Sequence, residues 1–228
     1  MLGHEQATAY CQGEVSAGEE DEMERSPRNV GIVLFDDFEL LDVFGPAELL
    51  SRVPGQYVLT YIAPTVGPVR SSQGIEVLAT DSLENATTAD IALVPGGAGT
   101  RGLVDDTAFL AQLASWACPA PLITPVCTGS ALLAAAGLLE GYRATSNKRA
   151  FSWAASHGAD VTWVPQARWV HDRDRWTSSG IAAGMDMTAA LIGHLSGEEA
   201  AVTAAREIEL EVHSDPDWDP FAAHYGLS

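Results

Sequence analysis

One cysteine stands where an apolar run gives way to a helix-forming run. It is Cys127, in ITPVCTGSALLAAAGLL over residues 123–139. A strand, one nucleophile-type residue, a small residue and then a helix is the layout of a nucleophile elbow. The helix start adds unpaired N–H groups and a positive dipole end, which favour a thiolate over a thiol. The competing reading is a small buried core residue, a common use of free cysteine. A second stretch, PGGAG at 95–99, follows another apolar run. Its glycines allow close approach of backbone to a ligand. The N–H groups of Gly97 and Thr128 are candidates for an oxyanion hole. The stretch is no dinucleotide fingerprint, because GGAGTRG lacks the spacing and the distal acid. A third stretch, ELLDVFGP at 39–46, puts Asp42 among Leu40, Leu41, Val43 and Phe44. It either caps a helix near Pro46 or points at Cys127. In the second case burial raises its pKa, and the carboxyl can donate to the sulfur or pass a proton to substrate.

These residues need elements to hold them. NVGIVLF (29–35), QYVLTYIA, ADIALVPGG and PLITPV read as strands, the apolar ones as buried parallel strands. GPVRSS followed by GIEVLATDSL reads as a hairpin, and ARWVHDRDRWTSSG as another that turns at residues 172–174. A helix is predicted over FGPAELLSRV with Pro46 near its start. Others are predicted over TAFLAQLASWA, GSALLAAAGLLEG, KRAFSWAASHG, GMDMTAALIGHL and GEEAAVTAAREIELEV. The alternation of strand and helix predicts an α/β fold, a three-layer sandwich of flavodoxin-like type with a mainly parallel sheet. Ligands of such sheets bind beyond the carboxyl ends of the strands, where all three stretches fall.

Residues 1–28 read as an acidic tail that stays disordered, having too little apolar surface to offset its ordering entropy. Residues 29–228 read as one domain whose last part, from about 212, is an extension rich in Asp, Pro and aromatics. The net charge of −19, from 12 basic and 31 acidic residues, repels phosphate backbones and anionic lipid, so neither nucleic acid nor membrane is an expected partner. Three widely spaced cysteines give no disulfide framework and no zinc pattern. With no signal-peptide pattern at the N-terminus, a cytoplasmic setting is expected. No two of the 6 histidines stand at i, i+4, so no metal is expected.

LFDDFELLDVFGPAELL, ALVPGGAG, PVCTGSALLAAAGLLEGYRAT and TSSGIAAGMDM occur in the order and spacing of the DJ-1/PfpI (ThiJ) superfamily. The chain resembles that superfamily over roughly residues 29 to 210. The branch it is most similar to holds isocyanide hydratase and the related domain of some AraC-type regulators. The resemblance implies a cofactor-free homodimer acting on a small molecule. It implies Cys127 as nucleophile, Asp42 as the acid bonded to it and Thr128 as a shaping residue. Gly96, Ala98, Asn147, Ser179, Gly180 and Ile181 become pocket candidates. Peptidase-like members carry His after the cysteine and amidotransferases a distal His-x-Glu; neither is present. Glyoxalase-like members use Glu and His, where this chain has Asp42 and no matching His. Hydratase-like relatives read ATTHW where this chain reads ATSNK, which places Asn147 at their His and Lys148 at their Trp. Lys148 and Arg149 are read as surface charge or as a site edge open to an anion. A regulator would carry a further helix-turn-helix region after such a domain, and none is expected here. The functions these residues allow are a Cys-dependent hydratase, an oxidation sensor of the DJ-1 kind and a non-catalytic binding domain.

Overall fold

The computed structural model describes residues 26–227. The acidic segment read as a disordered tail lies, but for its last residues, outside them. Strand β1 (Arg28–Val33) opens the domain. It is followed by α1 (Leu40–Ser51), β2 (Tyr57–Ala63) and a hairpin of β3 (Gly67–Arg70) and β4 (Glu76–Ala79). Next come β5 (Asp81–Ser82), β6 (Ile91–Val94), α2 (Thr100–Leu103), α3 (Thr107–Ala117) and β7 (Leu122–Pro125). Then follow α4 (Gly129–Ala135), β8 (Arg143–Ala144), a 3-10 turn (Lys148–Ala150), α5 (Phe151–Ala154) and β9 (Thr162–Trp163). The chain closes with β10 (Trp169–Asp172), β11 (Arg175–Ser178), α6 (Ala183–Ser196), α7 (Glu198–Glu207) and α8 (Pro220–His224).

Seven strands form the main sheet in the order β10-β11-β7-β6-β1-β2-β5. All pairings are parallel except that of edge strand β10 with β11. Ile91–Val94 is buried throughout and Leu122–Pro125 nearly so, as central strands covered on both faces must be. Helices α1, α6 and α7 pack together as one layer, and α2, α3 and α4 as another. The architecture is therefore the expected three-layer sandwich. The chain runs from β1 to β2 on one side and returns to β6 on the other. The carboxyl ends of β1, β6 and β7 thus meet at a topological switch point, where a crevice for ligands opens.

Several boundaries differ from expectation. Helix α1 begins at Leu40, so Asp42 is inside it and Pro46 lies in its middle. Proline has no N–H, so the Asp42 carbonyl lacks its i+4 donor. The predicted helix over 148–158 shrinks to a 3-10 turn and four residues. The last long helix stops at Glu207, and Glu209 adopts φ 55°. The hairpin turn is where it was expected, with Arg173 at φ 56°.

The final segment folds back over the β10–β11 end. Arg168 and Trp169 donate backbone N–H bonds to the Pro216 carbonyl, and Asp219 donates to Gln166 O. Beneath it lies a buried group of charges. Arg168 pairs with Asp186 through Nη2 at 2.6 Å, and Asp219 stands 3.8 Å from Arg168 Nη1. Asp186 Oδ1 also accepts the His213 N–H at 2.9 Å. Lys148 is part of this layer, which corrects both readings of it. It is 3 % exposed and donates to Thr145 Oγ1 at 2.8 Å and Ala167 O at 2.5 Å. It is neither a surface charge nor a site edge; the aliphatic stem and three donors fit a buried carbonyl pocket. Arg149, beside it, is exposed. Of the hairpin tryptophans, Trp169 and Trp176 are buried, and Trp176 stacks on His171 at 4.0 Å. Cys118 is disulfide-bonded, so the expectation that the cysteines form no cross-link does not hold for it, and it is no resolving thiol for Cys127.

Candidate functional site

Cys127 sits between the end of β7 and the start of α4 with φ 58°. That left-handed conformation costs a non-glycine residue roughly 1–2 kcal/mol and persists only where surroundings impose it. They do so here. The Cys127 N–H donates to Ser179 O at 3.2 Å. Its carbonyl accepts from Ser130 Oγ at 2.9 Å and from Ser146 Oγ at 3.0 Å. Pinned on both sides of its Cα, the residue has its side chain directed by the fold. The sulfur lies inward, for Cys127 is only 5 % exposed.

Asp42 reaches the same spot from α1 and is fully buried. Its Oδ2 accepts the Gly96 N–H at 2.9 Å. Its Oδ1 has no partner in ordinary hydrogen-bond geometry, although the Cys127 thiol is close enough to stabilise the carboxylate. The contact is thus present but not closed. Burial pushes the Asp42 pKa up to about 7, with the Gly96 N–H opposing the rise. Burial also pushes the Cys127 thiol up, and the Asp42 charge adds to it. Three donors act in the other direction: the N–H groups of Thr128 and Ile181 and the Asn147 amide. Burial and the Asp42 charge thus oppose the expected thiolate, while the three donors favour it. The helix-start dipole does not outweigh the loss of water around the sulfur.

The loop 95–99 does not stand open. The Gly97 N–H donates to Thr128 Oγ1 at 3.1 Å, so it serves the residue after Cys127 rather than a free oxyanion position. Thr128 Oγ1 also lies 3.2 Å from Thr100 Oγ1. A Cβ at Gly96 would meet Thr128 N and Oγ1 at 2.6 Å, so only glycine lets this loop press on the elbow. Ala98 lines a cleft of about 680 Å³ with Phe35, Asp36, Pro64, Val69 and Leu103. That cleft and one of about 640 Å³ around Trp169, His194 and Leu210 do not include Cys127. The chemistry thus sits outside both, and the hydrogen-bond pattern locates it rather than the volume of a cleft.

Asn147 holds more of the site than its sequence context revealed. Its Oδ1 accepts the Ala150 N–H at 3.1 Å, capping the 3-10 turn. With the oxygen committed, the amide NH₂ is left to face the sulfur. A Cβ on Gly180 would overlap Asn147 Nδ2, so Gly180 makes the space that amide occupies. Ser179 contributes its carbonyl and Ile181, at φ 43°, its N–H. The Ile181 donor was legible only as a position, since nothing in a residue name tells that its N–H is aimed at a neighbour. Among the described residues no group of three or more His, Cys, Asp and Glu side chains could hold a metal, and no helix is long and apolar enough to cross a membrane.

Comparison with known proteins places the chain as a whole. The DJ-1/PfpI family model matches residues 28–194. The isonitrile hydratase of Pseudomonas putida is 35% identical over 191 residues, 83% of this chain and 81% of that protein. The HTH-type transcriptional regulator GbdR of Pseudomonas aeruginosa is 29% identical over 77% of this chain and 48% of its own length. Among solved structures, a ThiJ/PfpI family protein from Pseudomonas syringae superposes with a TM-score of 0.75 at 27% identity, covering 90% of this chain and 84% of that one. The chain belongs to the DJ-1/PfpI family.

Proposed function

We propose that this member of the DJ-1/PfpI family is a cysteine-dependent hydratase that adds water to a small electrophilic carbon, an isocyanide (isonitrile) being the substrate class favoured. The observation that carries the reading is the buried pair. Asp42 holds Oδ2 on the Gly96 N–H, leaves Oδ1 without a partner in ordinary hydrogen-bond geometry, and lies within reach of the Cys127 thiol. A carboxylate with a pKa of about 7 is matched to general-base work at neutral pH. An ordinary exposed aspartate is too weak a base for a thiol.

The steps balance as follows. Asp42 takes the Cys127 proton as the sulfur bonds to the terminal carbon of R–N≡C, and delivers that proton to the same carbon. The product is a thioimidate, R–N=CH–S–Cys127. Thr128 N–H, Ile181 N–H and the Asn147 amide hold the sulfur's charge while the proton is in transit. Asp42 then takes one proton from an attacking water, whose oxygen bonds to the carbon, and a proton reaches the nitrogen. The C–S bond breaks, the remaining hydroxyl proton leaves the oxygen, and the thiol is reprotonated. The sum is R–N≡C plus water giving R–NH–CHO. No external acid, base or oxidant enters.

Two other readings weigh less. A sensor of oxidation needs a ready, accessible thiolate, and this sulfur is buried, with burial and the Asp42 charge both opposing its ionisation. A purely binding domain has no use for an unpaired buried carboxylate beside a strained cysteine. A small-molecule substrate suits the net charge of −19 better than nucleic acid does. The same reading includes a cytoplasmic homodimer working without a cofactor, which sedimentation and cell fractionation test. The deciding assay measures formamide production from a panel of isocyanides by the wild type, Cys127→Ala and Asp42→Asn, with methylglyoxal alongside. Turnover lost in both variants supports the hydratase. Wild-type inertness toward every isocyanide refutes it.

A further inference from the structure

Arg101 stands beside the elbow with no carboxylate of its own. It lies in the short helix α2, which follows the 95–99 loop. Its Nη1 donates to Thr100 Oγ1 at 3.1 Å. That hydroxyl donates to Gly97 O at 2.7 Å and lies 3.2 Å from Thr128 Oγ1, on the residue next to Cys127. The guanidinium is thus two hydroxyl contacts from the elbow. Its carbon lies 3.4 Å from the centroid of the Trp153 ring. Trp153 is itself braced edge-on by His157, with centroids 4.9 Å apart. Stacking below and the Thr100 bond at one side set the plane of the fork. Burial lowers the Arg101 pKa while the charge on Cys127 raises it, so cation and sulfur lie in range of one another.

What the fork lacks is an acid. Among the described residues Arg101 forms no ion pair, in a chain with 31 acidic residues. Asp105, one turn on, acts on His157 instead. Arg52, Arg168, Arg173 and Arg175 each meet a carboxylate, whereas Arg28, Arg70, Arg143, Arg149 and Arg206 share with Arg101 the lack of an ion pair; what sets Arg101 apart is its stacked plane beside the elbow. A guanidinium carries five donors, and one is used here. The others remain on an exposed residue next to the reactive position. A planar fork with free donors, fixed by an aromatic face, is suited to bidentate capture of a carboxylate.

We infer that Arg101 is a specificity residue, and that the substrate is a short molecule carrying a carboxylate at one end and the electrophilic carbon at the other. This rests on the reading that Cys127 is the reacting group. Asp42 and Cys127 contribute no lasting positive charge, so the anion is recognised by Arg101 while the chemistry occurs at the sulfur.

The test uses two alkylating probes of nearly equal size, iodoacetate and iodoacetamide, on the full chain. Mass spectrometry follows labelling of Cys127, with Cys127→Ala as the control for site. The ratio of the iodoacetate to the iodoacetamide rate is expected to be higher in the folded wild type than in the urea-unfolded chain. It is expected to fall about tenfold in Arg101→Gln, the size of one charge-assisted contact, and to be largely kept in Arg101→Lys. A ratio equal in wild type and Arg101→Gln overturns the inference, as does an equal loss of both rates, which marks a structural role. Isocyanoacetate and isocyanoacetamide form the second arm. If neither is hydrated but the alkylation ratio still falls in Arg101→Gln, the hydratase reading fails and the carboxylate site stands. If both are hydrated with no effect of Arg101 on their kcat/KM ratio or on alkylation, the carboxylate site fails and the hydratase reading stands.

Discussion

Replacing Asp42 by Asn tests the physical account of the site without assuming any reaction. Asp42 is fully buried, and its pKa rises from 3.8 to about 7 chiefly because burial penalises the charged form. An acid whose folded pKa is raised binds its proton more tightly in the folded chain than in the unfolded one. Stability is therefore unaffected below pH 4, where both states are protonated. It is lost progressively as pH rises from about 4 to about 7, and the full cost is present above that. A shift of about 3 units at about 1.4 kcal/mol each sets the cost at roughly 4 kcal/mol. Asparagine keeps the shape and can still accept the Gly96 N–H, but never ionises. Asp42→Asn should thus exceed the wild type in stability by only about 1 kcal/mol at pH 4.5 and by about 4 kcal/mol at pH 8, near 10 °C in Tm for a domain of this size. Paired urea denaturation series of the two proteins, followed by circular dichroism from pH 4.5 to 8, measure the difference, in which the titration of all other groups cancels. A gap that does not vary with pH, or a variant less stable at pH 8, refutes the claim that an unpaid buried charge sits at this position.

The same carboxyl should shape catalysis in a second way: kcat/KM rises tenfold per pH unit below about 7 and levels above it, because the carboxylate is the working form, and Asp42→Asn removes both the activity and this limb. A stopped assay across pH 5–9 checks it. Gly180→Ala should push the Asn147 amide off the sulfur and lower kcat/KM by roughly tenfold or more with the fold kept, and Asn147→Ala should give the same loss; unequal losses would separate the two residues. Arg168→Met leaves Asp186 and Asp219 buried without their cation and should cost about 3–5 kcal/mol. Its first visible effect should be rapid proteolysis after residue 212, read by mass spectrometry, since the extension is tied to that layer.

The fold was legible because period and length agree: short β-rich apolar runs alternating with amphipathic stretches leave few arrangements other than a covered parallel sheet. Position in the site was legible for the same reason. Strand ends at a switch point are fixed by topology, so Cys127, the 95–99 loop and Asp42 had to converge. Helix starts were less legible. Pro46 is common at first turns, and only packing of Leu40 and Val43 against the sheet draws α1 four residues earlier. The single lysine shows the limit of composition. Alone, Lys148 reads as solvated charge; Asp219, seventy-one positions later, lies close enough to offset part of the cost of burying it.

The ionisation of the cysteine is the property of the site least legible in the sequence, because it depends on burial and on a distant neighbour. An elbow offers a helix start and N–H donors, and these do act on Cys127. Their effect is local and partial, whereas exclusion of water acts on the whole charge. Where the sulfur is 5 % exposed and a carboxylate is its neighbour, desolvation and like charge both work against the thiolate. A permanent thiolate would be a site that reacts with any electrophile or oxidant reaching it. A thiol whose proton leaves only when Asp42 is ionised and a substrate excludes further water reacts on demand. The burial that suppresses the resting nucleophile is the same burial that raises Asp42 to a pKa at which it can serve as the base. One physical cause therefore sets both members of the pair, and it is visible only once Asp42 and Cys127, 85 positions apart in the chain, are brought together.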